Sequence, residues 1–278
     1  MTIPTIKLEN GNEMPILGFG TYMLCDSTKM YESILCALKS GYKMLDTAKW
    51  YNNEHIVGDA IRDSGIRRED LFITSKQMTN TYEETIKNVE DTLNKFHTNY
   101  LDLVLIHWPT QKNLNKETYR ALEDLVDKGI IKSIGISNYN QEQCEELLKE
   151  CRIKPQVNQI ETHVYFQENK MNEYLKNNNI VHESWAPFCE GYLGLLQDKK
   201  LEEIGNKYNK TIAQIALRFL LERNIIVIPK STNIDHIKEN LEIFDFKLNK
   251  EDFEEIVKLD KKALYSGWPE NMKVETKY

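Results

Sequence analysis

Eight short apolar runs, each followed by a longer amphipathic stretch, set the tightest limit on what this chain can fold into. The runs are residues 16–22, 42–48, 71–77, 101–109, 131–138, 155–163, 180–187 and 225–232. Between them, segments such as 82–97, 116–128, 141–151 and 211–222 repeat apolar residues three and four apart, the spacing of a helix with one buried face. Leu103-Val104-Leu105-Ile106 and Ile225-Ile226-Val227-Ile228 are apolar at every position, so both faces of those strands must be covered. Strand followed by helix, eight times over, predicts an α/β fold: a (β/α)8 TIM barrel of parallel strands. A doubly wound sheet is the alternative. Ahead of the first unit, 5–8 and 14–17 flank Asn10-Gly11, which predicts a short N-terminal β-hairpin with a tight turn. After the eighth, 249–261 predicts an additional C-terminal helix, and 263–278 a tail crossing the surface. No Pro/Ser-rich linker interrupts the rhythm, so 1–278 is expected to be one domain.

Charge narrows the partners. The 36 Lys and Arg and 43 Asp and Glu are interspersed and leave a net charge of −7, with no basic patch for nucleic acid or an anionic membrane. Cysteines 25, 36, 144, 151 and 189 form no CxxC pair and no metal-ligand spacing, and their odd number fits reduced thiols, a bound metal being unexpected. Met1-Thr2-Ile3-Pro4-Thr5 has no basic run before an apolar core, and nowhere do about 18 apolar residues run together. A cytoplasmic chain is expected, neither exported by that route nor spanning a membrane.

Barrel enzymes build their sites at the C-terminal ends of the strands, so the titratable groups there are the candidates. Asp46 ends the second strand, Tyr51 follows in its loop, Lys76 ends the third, and His107 ends the fourth. Adjacent strands put all of them in one quadrant. An Asp–Lys ion pair in a poorly solvated cup would place a cation beside the Tyr51 hydroxyl and lower its pKa from the ordinary phenol value near ~10. Tyr51 then becomes a proton donor near neutrality, with His107 orienting a substrate carbonyl by hydrogen bonding. Taken singly, each has a plainer reading: His107 a partly buried histidine, Asp46 and Lys76 a rim ion pair, Tyr51 loop packing beside Trp50. Their occurrence together on consecutive strand ends carries the functional reading.

These residues stand in motifs that resemble one family. Asp46-Thr47-Ala48-Lys49-Trp50-Tyr51-Asn52-Asn53-Glu54, Phe72-Ile73-Thr74-Ser75-Lys76 and Leu103-Val104-Leu105-Ile106-His107-Trp108-Pro109 are similar to segments of the prokaryotic-type aldo-keto reductases. The resemblance runs nearly the whole chain, through Leu17-Gly18-Phe19-Gly20-Thr21-Tyr22, Gly135-Ile136-Ser137-Asn138, Gln156-Val157-Asn158-Gln159-Ile160-Glu161 and Ile228-Pro229-Lys230-Ser231. It implies reduction of aldehydes or ketones with hydride from NADPH, Tyr51 as general acid, Lys76 and Asp46 as the pair tuning it, and His107 as orienter.

No G-x-G-x-x-G occurs, so a Rossmann cradle is not indicated. The resemblance instead assigns Ser137, Asn138 and Gln159 to the nicotinamide carboxamide and Trp185 to stacking on the ring, where tyrosine is commoner among relatives. Thr21, Tyr22, Asp46, Pro187 and Phe188 join that site. Lys230, Ser231 and Thr232 lie between the eighth strand and its helix, where loop amides and a helix N-terminus favour phosphate. The family uses this segment for the adenosine 2′-phosphate, followed by His236, Glu239 and Asn240; His236 replaces the usual arginine and leaves NADH an alternative to NADPH. Tyr22, Trp50, Tyr51, His107 and Trp108 are expected to wall a pocket for a small carbonyl compound, aromatic aldehydes, dicarbonyls and keto-sugars suiting it about equally. A monomer is expected. Two other readings differ in class: a nonenzymatic binding or regulatory subunit on the same fold, and a Schiff-base aldolase using Lys76.

Overall fold

The computed structural model describes residues 2–22 and 26–266. Strands β1 (Thr5–Lys7) and β2 (Glu13–Pro15) pair antiparallel, Thr5 opposite Pro15. The turn is wider than expected. The Leu8 N–H donates to the Asn12 carbonyl at 2.8 Å, so residues 9–11 turn the chain and only Gly11, at φ 93°, needs the left-handed region. Asn10 and Asn12 instead reach inward, both donating to Ser133 Oγ at 2.9 Å, and tie the hairpin to the body of the protein.

Eight parallel strands follow: β3 (Phe19–Gly20), β4 (Met44–Asp46), β5 (Phe72–Gln77), β6 (Leu103–Ile106), β7 (Ile134–Ser137), β8 (Val157–Glu161), β9 (Val181–Trp185) and β10 (Ile226–Val227). Their order in the sheet is their order in sequence, which rules out the doubly wound alternative, where the order reverses. Leu17 bridges Val227, and the Gly18 N–H donates to the Val227 carbonyl at 2.9 Å, so the last strand meets the first and the sheet closes. Regular pairing is shorter than the apolar runs. At β10 it stops before Pro229, which has no N–H to continue a ladder.

Between and after the strands lie α1 (Ser27–Ser40), α2 (Glu54–Ser64), α3 (Tyr82–Phe96), α4 (Lys112–Asp127), α5 (Gln141–Glu150), α6 (Asn169–Asn177), α7 (Lys199–Tyr208), α8 (Ile212–Glu222), α9 (Ile234–Glu239) and α10 (Lys250–Val257). Polar side chains fix where several begin: Asp26, Thr81, Asn140, Thr211 and Asn249 each accept from a backbone N–H of the first turn. Helix α4 starts earlier than its apolar spacing suggests. Helix α10 is the expected additional helix, shorter than 249–261. Beyond it the Lys261 and Ala263 N–H groups both donate to the Tyr165 carbonyl, at 3.0 and 3.2 Å. Residues 267–278 of the expected tail lie outside the described residues.

Two apolar layers place the site. One lies between sheet and helices. The other fills the barrel interior with Met44, Leu103, Leu105, Val157 and Ile226, with Leu8 and Met14 packed into the same cluster. Polar side chains gather above this plug, at the C-terminal strand ends.

Candidate active site

Asp46 ends β4 and Lys76 is the penultimate residue of the adjacent β5, and both are almost wholly removed from solvent. Lys76 Nζ donates to Asp46 Oδ1 at 2.5 Å, to the Thr47 carbonyl at 3.1 Å and to the Tyr51 hydroxyl oxygen at 3.2 Å. Each N–H of the ammonium therefore has an acceptor. The Tyr51 oxygen accepts from Lys76, which leaves its own O–H to donate toward the cup.

The loop that carries Tyr51 is held from below. Thr47 Oγ1 donates to Asn53 Oδ1 at 2.7 Å, and Asn53 Nδ2 donates to the Thr21 carbonyl at 3.0 Å. Glu54, buried, accepts from Ser75 Oγ at 2.8 Å and Thr92 Oγ1 at 2.9 Å. The Asn-Glu pair after Tyr51 thus locks the β4–α2 loop onto β3, β5 and α3.

Electrostatics correct one expectation. Burial pushes the Tyr51 phenol up to about 12 even though Lys76 pulls it down, because desolvating a phenolate costs more here than the nearby cation returns. Tyr51 is protonated at neutral pH rather than half-ionised. Burial pulls Lys76 down, but Asp46 and Tyr51 outweigh it and raise Lys76 to about 12. An ammonium so held has no free lone pair, which removes the chemistry a Schiff base requires. His107 lies with its ring edge-on to Tyr51, centroids 5.5 Å apart, and burial followed by the Lys76 charge drives its pKa well below the ordinary histidine value. It is a neutral imidazole able to donate one hydrogen bond.

A cavity of about 1000 Å³ opens above these groups. Asp46, Tyr51 and His107 lie on its floor, and Tyr22, Trp50, Trp108 and Trp185 form an aromatic wall. Tyr22 stacks on Trp50 at 6.2 Å, and Trp108 meets Trp185 edge-on at 6.4 Å. Trp185 Nε1 donates to Asn138 Oδ1 at 2.9 Å, so the indole is anchored to the next predicted contact. Ser137, Asn138, Gln159, Pro187 and Phe188 line the cavity, and it continues past Lys230, Ser231, Thr232, His236, Glu239 and Asn240. Two predicted residues stand back from the wall. Lys76 acts from behind Tyr51, and Thr21 is buried with its hydroxyl donating to the Asp46 carbonyl at 3.1 Å.

Other lining residues were not singled out in the sequence. Tyr265 meets Trp185 edge-on at 6.5 Å, stacks on Tyr192 at 5.3 Å and donates its backbone N–H to Glu161 Oε1 at 2.6 Å. It follows the last helix, where no strand or helix period points to a site. Lys210 and Thr211 reach the cavity from the α7–α8 turn. Glu183, behind the lining, carries no local signal of a site in the sequence. Wholly buried inside the barrel, it accepts from Gln159 Nε2 at 2.8 Å, while the same nitrogen donates to Asp46 Oδ2 at 2.9 Å.

Residues 16–261 match the model of the aldo/keto reductase family. The chain belongs to this family. It is 43% identical over 259 residues to the glyoxal reductase of Bacillus subtilis, spanning 92% of this chain and 93% of that one. Methylglyoxal reductase DkgA of Escherichia coli is 37% identical over 94% of this chain and 95% of its own. The crystal structure of a Bombyx mori aldo-keto reductase in complex with NADP superposes with a TM-score of 0.92 at 29% identity, covering 99% of both chains. As an aldo/keto reductase the protein is an NADP(H)-dependent oxidoreductase of carbonyl compounds, and the expected fold and reaction class stand.

Proposed function

We propose that the protein reduces small 1,2-dicarbonyl compounds of the glyoxal and methylglyoxal type, with Tyr51 as proton donor. The observation that carries this reading is the saturated Lys76 ammonium, which leaves the Tyr51 O–H pointing its one free function at the cavity. NADPH supplies hydride when bound. The donor set fits that cofactor: amides at Asn138 and Gln159, an indole at Trp185, and the Lys230 cation with the Ser231 and Thr232 hydroxyls, all on one cavity. Ser137, Asn138, Gln159 and Trp185 would hold the nicotinamide, with Tyr22, Pro187 and Phe188 beside it. Lys230, Ser231, Thr232, His236, Glu239 and Asn240 would hold the adenosine phosphate end.

Neutral His107 donates to the substrate carbonyl oxygen and orients it between itself and Tyr51. As negative charge grows on that oxygen, the Tyr51 proton crosses to it, and Lys76, backed by Asp46, stabilises the phenolate left behind. Buried Trp108 would exclude water from one side, with the more exposed Trp50 at the cavity rim. The glyoxal and methylglyoxal reductases among the relatives support the substrate class. We infer further that 1–278 acts as one domain and as a monomer in the cytoplasm, a compartment that the unpaired Cys36, Cys144, Cys151 and Cys189 support. The dispersed charge supports no nucleic-acid role.

The test follows NADPH oxidation with glyoxal, methylglyoxal, an aromatic aldehyde and a keto-sugar. Higher kcat/KM for the dicarbonyls is expected. Turnover confined to the aromatic aldehyde or the sugar overturns the substrate class, and no turnover with any carbonyl favours the regulatory reading.

A further inference from the structure

We propose that Glu183 is a positioning residue for carbonyl reduction: held as a neutral carboxylic acid, it accepts one hydrogen of the Gln159 amide and so fixes which end of that amide faces the cup.

Glu183 and Gln159 are register partners on β9 and β8 with side chains inside the barrel. Gln159 Nε2 has two hydrogens, and both are spoken for, by Asp46 Oδ2 at 2.9 Å and Glu183 Oε2 at 2.8 Å. What remains for the cavity is Gln159 Oε1, an acceptor only. An acceptor suits the N–H of a carboxamide, and this step rests on the reading that places the nicotinamide carboxamide at Gln159. Without Glu183, one tether is lost, and the amide is free to turn its NH2 toward the cup and meet donor with donor.

The charge state follows from what surrounds the group. Asp46 on β4 and Lys76 on β5 already cancel one another. On β10 the register partner is Ile226, and Val157 and Met44 belong to the apolar plug. A second carboxylate would be uncompensated there, and Glu183 Oε1 has no hydrogen-bond partner among the described residues. An unpaired oxygen on a neutral acid costs far less than one on a buried anion. Burial first, then the Asp46 charge, push the Glu183 carboxyl well above the ordinary range, against the weaker opposing pull of Gln159 and Lys76.

Ionisation would therefore be felt at the reaction. A negative charge added beside the Asp46–Lys76 pair weakens the cation that stabilises the phenolate developing on Tyr51, so reduction should slow as pH rises through the Glu183 titration.

Glu183→Gln and Glu183→Leu separate these roles, with three measurements. The infrared spectrum of the cofactor-free protein near neutral pH should show a protonated-carboxyl band that Glu183→Gln abolishes. NADPH dissociation constants, read from tryptophan fluorescence, should weaken about tenfold in Glu183→Leu, the loss of one buried hydrogen-bond partner, yet stay within about threefold in Glu183→Gln, whose amide oxygen still accepts. The kcat for methylglyoxal should fall at alkaline pH in the wild type and fall less in Glu183→Gln. Absence of the band from the wild type, wild-type NADPH affinity in a folded Glu183→Leu, or an unchanged alkaline fall in Glu183→Gln each overturns the proposal. If Glu183→Leu fails to fold, the band and the pH profile still decide. The infrared band and the NADPH affinities need no turnover of methylglyoxal, so failure of the substrate reading is told from failure of this one.

Discussion

Lys76 is buried yet fully hydrogen-bonded, and removing Asp46, its one charged acceptor, leaves an uncompensated charge rather than a simple gap. Tyr51 is the softest of these positions: its ring packs against Tyr22 at 4.9 Å, while its hydroxyl is only one of the three acceptors. Tyr51→Phe should therefore fold normally and keep NADPH affinity within about twofold, while kcat for methylglyoxal drops about 10²–10⁴-fold, the range spanned by loss of a positioned acid. Near wild-type kcat in that variant would remove Tyr51 from the chemistry. His236 is exposed on the cavity beside Lys230 and Ser231, where a guanidinium could grip a phosphate through paired N–H groups. His236→Arg should tighten NADPH about five- to tenfold and leave NADH unchanged, measured by parallel titrations. An equal change for both cofactors would show that the side chain does not face the 2′-phosphate.

Among the elements, strand ends and caps were the most legible parts of the sequence. Asp46, Lys76 and His107 could be placed because short apolar runs lead up to them, and the helices expected from 211 and 249 do begin behind the capping side chains of Thr211 and Asn249. Contacts between elements were not legible. Lys112-Asn113-Leu114-Asn115 begins α4 with little apolar spacing, so the helix starts ahead of the 116 that its periodicity predicts. Glu183 reads as an interruption of an apolar strand until Gln159 is seen beside it. The phenol of Tyr51 lies higher than the sequence suggests because a cation on the adjacent strand is legible there, whereas the burial that outweighs it is not. Helix α2 shows the same limit. Gly58 lies in its middle, where glycine weakens a helix, yet a Cβ there would stand 1.9 Å from the Lys95 carbonyl oxygen at the end of α3. Backbone cannot yield as a side-chain tip does. Gly58→Ala should thus cost about 1–3 kcal/mol despite the better helix propensity of alanine, seen as a lower urea midpoint. A stabilised variant would mean that α2 can slide away from α3.

For the whole molecule, buried ionisable groups set how stability responds to acid. His182, on β9, is wholly desolvated between Thr162 Oγ1 at 2.8 Å and Asn172 Oδ1 at 3.0 Å, and burial, with a smaller push from Arg223, takes it down to about 3. His107 is depressed in the same direction. Below the ordinary histidine value near ~6.5 the unfolded chain binds a proton at each, while the native barrel does not, so both contribute stability that is lost as pH falls from about 6.5. Glu183 works the other way. Its folded value is raised, so between the ordinary carboxyl value near ~4.3 and that raised value the native state holds a proton the unfolded chain has lost, and stability falls as pH rises. Between about pH 5 and 6 the two histidines and Glu183 leave a net excess of roughly one proton on the unfolded chain, or about 1.4 kcal/mol lost per pH unit of acidification. His182→Gln, which keeps a side chain able to bond Thr162, should remove that slope almost entirely, with urea unfolding at about pH 5 and about pH 6 as the measurement. A slope unchanged by the substitution would mean that His182 is already protonated in the native barrel, and that its hydrogen bonds to Thr162 and Asn172 are not those of a neutral ring.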